Sequence, residues 1–215
     1  MPSRKKRKES NQLGPFRGPA PRGVFQTIEV GSGRGEFVES RAEKHPHRRY
    51  AAVEPNYAPG SLSEVMNIRR EKLRQQPNIS LYSQRIEHAL DEMRKEGIRA
   101  RHMNIDMPIP IEARTEYLKM WKKIFELAPH ILLPNGSIFV SSESTETLKT
   151  ISEMARKAGF RVRALKPIQE SAKTRRTYFM EYFHDSEYKI HRLQITFGLK
   201  KAIPKKWGRR NWPRA

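Results

Sequence analysis

The chain contains no cysteine, has far fewer acidic than basic residues, and lacks any long hydrophobic run. Without cysteine it forms no disulfide and no thiolate zinc site, and it has no cysteine nucleophile. No apolar run approaches the ~20 residues of a membrane-spanning helix, and the basic N-terminus lacks the apolar segment of a signal peptide. These absences predict a soluble, intracellular protein, which we expect in the cytoplasm with no membrane partner.

Basic residues greatly outnumber acidic ones in this chain. Among 215 residues, 43 are Lys or Arg and 23 are Asp or Glu, which gives a formal net charge of +20. Such an excess points to a polyanionic partner: RNA, DNA or an acidic membrane surface. Hydrophobic residues make up only 36% of the chain, so we expect one domain with part of the chain outside its core.

The positive charge concentrates at the two ends. Residues 1–22 carry +6 and residues 200–215 carry +7, leaving only +7 on residues 23–199. We therefore predict a domain over 23–199 between an N-terminal arm (1–22) and a C-terminal arm (200–215). Contact with nucleic acid is the favoured role of the arms, and a solubilising or localisation tail is the alternative for the N-terminal one.

The C-terminal arm also carries two tryptophans. Aromatic faces between cations suit stacking on exposed bases while the cations neutralise phosphates, although the indoles can equally fold back onto the domain. The candidate RNA-binding residues of this arm are Lys205, Lys206, Trp207, Arg209, Arg210 and Trp212.

β-prone and helical segments alternate along most of the domain. The predicted strands are 24–30, 50–54, 79–82, 101–106 and 137–141, followed by alternating segments at 160–164 and 193–199. The predicted helices cover 34–44, 61–75, 86–95, 117–128 and 148–158, and Asn135-Gly136 predicts a turn. This order predicts an α/β, Rossmann-like doubly wound fold: a largely parallel seven-stranded sheet with helices on both faces and an antiparallel last strand.

A glycine motif lies between the first strand and the first helix. It reads Glu29-Val30-Gly31-Ser32-Gly33-Arg34-Gly35. The fingerprint of nicotinamide-binding proteins would place its third glycine at Glu36, where a carboxylate is poorly suited to a pyrophosphate. An acid, Glu54, ends the second strand 19 residues after Gly35, where it can bind ribose hydroxyls. The alternative is an ordinary glycine-rich turn with a surface glutamate.

In this order of strand, glycines, helix, strand and acid, the chain resembles the class I S-adenosylmethionine-dependent methyltransferases. The resemblance implies S-adenosylmethionine as cofactor, with Glu29, Gly31, Gly33, Gly35 and Glu54 in its binding site.

Within that superfamily, the chain is most similar to the tRNA (guanine-N7)-methyltransferases. The similarity rests on residues 28–56, on Met103-Asn104-Ile105-Asp106-Met107-Pro108 and on Tyr188-Lys189-Ile190-His191-Arg192-Leu193. The chain differs where that family usually has Gly-Asp near the adenine, because Gln84-Arg85 stands there. The similarity implies methylation of a purine, guanine N7, in tRNA or rRNA.

Guanine N7 has a free lone pair and needs no general base, so the enzyme must align the reactants and offset the charge that develops on the purine. Asp106, at the carboxyl end of the fourth strand, is the candidate catalytic residue, and Asn104 is expected near the methionine part of the cofactor. The alternative for Asp106 is a turn residue that caps the helix after Pro110.

A second basic region occupies residues 155–176, with eight Lys or Arg and one acid. We predict that it forms a basic wall beside the cleft, and the alternative is a solvated face. Its candidate RNA-binding residues are Arg161, Arg163, Lys173, Arg175 and Arg176. The seven histidines show no metal-ligand spacing, so we predict no metal.

Two other functions fit the sequence. One is a non-catalytic RNA-binding or ribosome-associated protein on a methyltransferase scaffold, which the Gln84-Arg85 difference favours. The other is a methyltransferase acting on protein or a small molecule, which the basic arms disfavour. The oligomeric state does not follow from the sequence.

Overall fold

This computed structural model describes residues 23–33, 35–55, 64–106, 114–169 and 189–197. The strands are β1 (Val24–Val30), β2 (Arg49–Val53), β3 (Ile79–Tyr82), β4 (Arg99–Asp106), β5 (Leu132–Ser142), β6 (Phe160–Gln169) and β7 (Lys189–Phe197). The helices are α1 (Glu36–Lys44), α2 (Glu64–Gln75), α3 (Ile86–Lys95), α4 (Arg114–Ile131) and α5 (Thr145–Lys157).

The seven strands form one sheet in the order β3-β2-β1-β4-β5-β7-β6. Neighbouring strands from β3 to β5 are parallel, and β7 runs antiparallel to both β5 and β6. The predicted doubly wound sheet with an antiparallel last strand is therefore confirmed. The strand order reverses between β1 and β4, and in such sheets ligands bind beyond the carboxyl ends of the strands at this point.

Helices cover the sheet on two faces through two hydrophobic clusters. The larger cluster joins the sheet to α3, α4 and α5, and Trp121 of α4 is fully buried within it. The smaller cluster joins α1 and α2 to residues of β2 and β3 only. The result is the predicted three-layer arrangement, with α1 and α2 on one face and α3 to α5 on the other.

The fifth strand is longer than predicted. Strand β5 begins at Leu132 and includes Asn135-Gly136, for which the sequence predicts a turn. Leu132 pairs with Ala100, and the next paired residue, Ser137, lies opposite His102, so four residues of β5 face one residue of β4. A Cβ at Gly136 would lie 2.8 Å from the carbonyl oxygen of Leu133, so only glycine fits this irregular stretch. The Asn-Gly pair therefore lies in an irregular part of a strand and not in a turn before it.

Other boundaries differ by a few residues. Helix α1 begins at Glu36 rather than at 34, because Gly35 has a left-handed backbone and serves as the N-cap. The predicted segments 61–63 and 198–199 lie outside the described residues, as do the two proposed arms. In the part of the chain that the structure describes, no helix has the length and apolar character needed to cross a membrane.

Candidate cofactor site

The loop between β1 and α1 is built on glycine. Gly31, Gly33 and Gly35 have φ angles of 69°, 53° and 74°, a left-handed region that L side chains rarely adopt. At Gly31 the loop also comes close to β4, because an added Cβ would lie 3.3 Å from the carbonyl oxygen of Asp106. The loop thus brings bare backbone to the carboxyl ends of β1 and β4.

Glu54 follows β2, and its side chain is hydrogen-bonded to this loop. Its side chain is 6% exposed, and its Oε2 accepts a hydrogen bond of 3.0 Å from the backbone N–H of Gly33. The backbone N–H of Glu54 in turn donates to the carbonyl oxygen of Tyr82, the last residue of β3. A carboxylate has about four acceptor positions, so Glu54 can hold the loop and also accept from ribose hydroxyls.

Glu29 and Asn104 lie opposite each other on β1 and β4. Glu29 is buried, and its Oε2 accepts a hydrogen bond of 2.9 Å from Nδ2 of Asn104. The pair joins the two strands between which the strand order reverses, just before the glycine loop. The structure thus brings together two residues that the resemblance assigns to the binding site of one cofactor.

Asp106 is the last residue of β4 and is 8% exposed. Its carbonyl oxygen lies beside Gly31, so the residue is at the edge of the sheet where the glycine loop begins. The alternative role of Asp106, capping the helix after Pro110, concerns a stretch outside the described residues, because the chain between Asp106 and Arg114 of α4 is not described.

The segment after β3 carries no acid at the two positions where the resemblance implies one. Gln84 instead donates a hydrogen bond to Glu92 of α3, and the Arg85 guanidinium lies 3.8 Å from the exposed carboxylate of Glu116. Both side chains thus interact with α3 or α4. This rim of the site is amide and guanidinium in character.

The predicted RNA-binding residues are not all gathered at this site. Arg161 and Arg163 are exposed on β6, the edge strand that three strand spacings separate from β4. Across β7 and β5, Arg161 is level with His102 of β4, four residues before Asp106. The structure therefore does not place Arg161 beside Asp106. The other candidates lie outside the described residues: Lys173, Arg175, Arg176, Lys205, Lys206, Trp207, Arg209, Arg210 and Trp212.

Sequence reasoning missed a group of basic residues at the other end of the sheet. Arg48, Arg49, Arg101 and His102 line one cavity there. The available signal was the presence of basic residues at the beginnings of strands that the predicted topology makes neighbours. Within the described ranges, no group of three or more His, Asp or Glu residues is arranged to hold a metal ion.

The fold has well-known counterparts, although neither the family models nor the curated proteins match this sequence. A precorrin-6y C5,15-methyltransferase from Geobacter metallireducens has a TM-score of 0.55 and 14% identity over 81% of each chain. The 16S rRNA methyltransferase KamB has a TM-score of 0.56 and 14% identity over 81% of this chain and 88% of its own.

A third solved structure contains the methyl donor. It is a 16S rRNA (adenine(1408)-N(1))-methyltransferase variant from Catenulisporales acidiphilia with cosubstrate S-adenosylmethionine. It has a TM-score of 0.55 and 14% identity over 84% of this chain and 88% of its own. The chain therefore has a methyltransferase fold, and identities this low carry no conclusion beyond the fold.

Proposed function

We propose that the protein is an S-adenosylmethionine-dependent methyltransferase that acts on RNA, with guanine N7 of tRNA or rRNA as the preferred target. The observation that carries this proposal is the backbone cradle at Gly31, closed by the buried Glu54 carboxylate on the amide of Gly33. An uncharged ribose and a methionine fit it better than a pyrophosphate, because the cradle is bordered by Glu29, Glu54 and Asp106.

When bound, S-adenosylmethionine supplies a methyl group on a sulfonium sulfur, which keeps the electron pair of the breaking bond. The chain's own residues have three tasks around it. The glycine loop admits the cofactor close to the backbone, Glu54 binds ribose hydroxyls, and Asn104 with Glu29 borders the methionine part. Asp106 offsets the positive charge that the purine gains when its N7 forms the new bond.

An RNA substrate is supported by three features of different kinds. The net charge of +20 suits a polyanion. KamB and the adenine(1408)-N(1) enzyme, which share the fold, are methyltransferases of 16S rRNA. The resemblance of residues 28–56 to the tRNA (guanine-N7)-methyltransferases supplies the choice of atom.

The competing function is RNA binding without catalysis on the same scaffold. The observation that favours it is the segment after β3, where Gln84 is hydrogen-bonded to Glu92 and Arg85 lies near Glu116. Neither position carries the acid that the resemblance implies beside the adenine. Cofactor binding separates the two functions, because only the methyltransferase needs it.

The test compares two glycine substitutions by calorimetry with S-adenosylmethionine and its demethylated product. Gly31→Ala and Gly97→Ala both place a side chain at a φ near +70°, so we expect each to lower the free energy of unfolding by about 1–2 kcal/mol. Only Gly31 lies at the cradle, since nothing approaches a Cβ at Gly97 within 4 Å. We expect micromolar binding by the wild type and by Gly97→Ala, and at least about tenfold weaker binding by Gly31→Ala.

Absence of binding by the folded wild type at millimolar cofactor would favour the non-catalytic function. Transfer of a labelled methyl group to total tRNA or rRNA, followed by nucleoside analysis, then identifies the modified atom.

A further inference from the structure

A cavity of about 580 Å³ opens at the amino ends of β1, β2 and β4. We name it the amino-end cleft, and its polar lining consists of Gln26, His47, Arg48, Arg49, Arg101 and His102. Gly31 follows Gln26 by five positions, so the cleft lies about 16 Å along β1 from the glycine loop. It is a separate feature from the cofactor site.

The lining of the cleft is strongly cationic. It combines three guanidinium groups and two imidazoles, and none of the described residues that line it is a carboxylate. Arg48 and Arg101 are exposed, whereas Arg49 and His102 are partly buried. Guanidinium groups present paired N–H donors in the geometry that phosphate oxygens accept, so this set of donors suits phosphates.

Two of these side chains are held in place before any ligand binds. The Arg49 guanidinium lies over the ring of Phe25, 4.9 Å from its centroid. The His102 ring packs 5.7 Å from that of Phe139, and its Nδ1 is buried without a hydrogen-bond partner among the described residues. Burial, and then the nearby charges of Arg101 and Arg41, lower the pKa of His102. A bound anion would relieve this repulsion.

Two further arginines, Arg161 and Arg163, lie on the same face of the sheet as His102, beyond two neutral residues of which Ser137 is buried. His102 pairs with Ser137, Ser137 with Thr196, and Thr196 with Arg161, so these side chains share one face. Gln194 and Arg163 form the next row on this face. The described helices that contact β5, β6 and β7 belong to the cluster on the opposite face. From β4 to β6 the row spans about 14 Å, more than one phosphate group can occupy.

We propose that the amino-end cleft, together with the exposed Arg161 on the same face, binds the phosphate backbone of the RNA whose base is methylated at the glycine-loop end. This inference rests on the proposed function for the identity of the RNA. The separation of about 16 Å spans only a few nucleotides, so one RNA segment can reach both places. The cleft thereby supplies affinity and orientation, while the cofactor site supplies chemistry.

The test removes two exposed charges from the cleft in the full-length protein. Arg48→Gln with Arg101→Gln is compared with Lys119→Gln and Lys122→Gln, two exposed charges on α4 that lie on the opposite face. Binding of a labelled, unmodified tRNA transcript is measured by fluorescence anisotropy over a salt series. We expect the cleft variant to reduce the log-log salt slope by about one to two units and the affinity at low salt by about tenfold. The matched α4 variant should keep the wild-type slope.

Equal slopes in both variants and the wild type, or an equal decrease in both variants, would overturn the cleft proposal, because total charge rather than position would then govern binding. Cofactor titration and methyl transfer are measured on the same proteins. If the wild type binds cofactor and methylates RNA but the cleft variant binds RNA normally, the cleft proposal alone fails. If the cleft variant loses RNA binding while the wild type transfers no methyl group, the proposed function fails and the cleft stands.

Discussion

At the scale of single residues, Asp106 offers the sharpest test of the chemistry. Asp106→Asn keeps the shape of the side chain and removes its charge. If the carboxylate offsets purine charge in the transition state, we expect turnover to fall by about 10²-fold while cofactor affinity stays nearly unchanged. The measurement is single-turnover methyl transfer to total tRNA and rRNA, beside calorimetry of the cofactor.

The control for this substitution is Asp91→Asn, which removes a partly exposed carboxylate on α3 whose pKa is held at about 2 by hydrogen bonds from Lys95 and Arg94. This substitution removes a charge of the same sign at a position outside the glycine loop. We expect the Asp91→Asn variant to have the turnover of the wild type. Wild-type turnover in Asp106→Asn itself would remove Asp106 from the reaction and leave the charge to be balanced elsewhere.

The residues proposed for the cofactor site come from the sequence motif, but their contacts with one another could not be predicted from it. A glycine motif between a strand and a helix, with an acid after the next strand, predicts that Gly31 and Glu54 approach each other. It does not predict that Glu54 receives the amide of Gly33, or that Asn104 donates to Glu29, 75 residues away. Those bonds depend on strand register, which is set by packing of the whole sheet.

At the scale of elements, α1 is the helix that the glycine loop leads into, and it is joined to α2 by charge. Glu39 of α1 is buried and forms two ion pairs with α2. Its Oε2 lies 2.6 Å from Nη2 of Arg69, and its Oε1 lies 2.8 Å from Nζ of Lys72. Burial alone would raise the pKa of Glu39, but the hydrogen bonds from Lys72 and Arg69 outweigh it, and the pKa is lowered. The orientation of α1 thus depends on an ionised carboxylate.

This arrangement predicts an acid-sensitive stability. Because the folded pKa of Glu39 lies below its unfolded value, its contribution is complete above that unfolded value and is lost as the pH falls through the folded one. Glu39→Gln should lower the free energy of unfolding at pH 7 by about 1–3 kcal/mol, and by less as the pH is lowered. Urea unfolding of both proteins between pH 3 and 7 measures this difference. A difference that does not change with pH would mean that packing, and not charge, joins the two helices.

Elements were predicted more reliably than their edges and their order in space. Sequence pattern predicted every helix and strand of the described chain, the amphipathic helices by their periodicity and the buried strands β2 and β3 as short β-prone runs. It could not show that β7 inserts between β5 and β6, because spatial order depends on long-range pairing. It also missed that β5 begins at Leu132, since the irregular pairing of β5 with β4 before Ser137 depends on the neighbouring strand and not on the local sequence.

At the scale of the whole molecule, the described charges of opposite sign lie at opposite ends of the sheet. The buried acids Glu29, Glu54 and Asp106 lie at the glycine-loop end of the sheet, and the amino-end cleft carries the arginines at the other. An RNA drawn to the cationic end meets these acidic groups only where a positively charged cofactor is proposed to bind. The sequence showed a basic protein but not the position of the cleft, because the residues of the cleft come from three separate segments.

The two arms provide the last prediction. Deleting residues 1–12 and 202–215 removes ten Lys or Arg, so we expect weaker binding to every RNA. The salt slope should also become smaller, by about 0.7–0.9 for each phosphate that the protein no longer neutralises.

Trp207→Ala with Trp212→Ala keeps every charge and serves as the matched variant. If the indoles stack on bases, it should weaken binding to single strands by about 1–3 kcal/mol per base at an unchanged slope. Salt titrations by anisotropy on duplex and single-stranded RNA distinguish these effects. An unchanged slope after the deletion would assign the arms to another partner and leave the cleft as the source of the salt dependence.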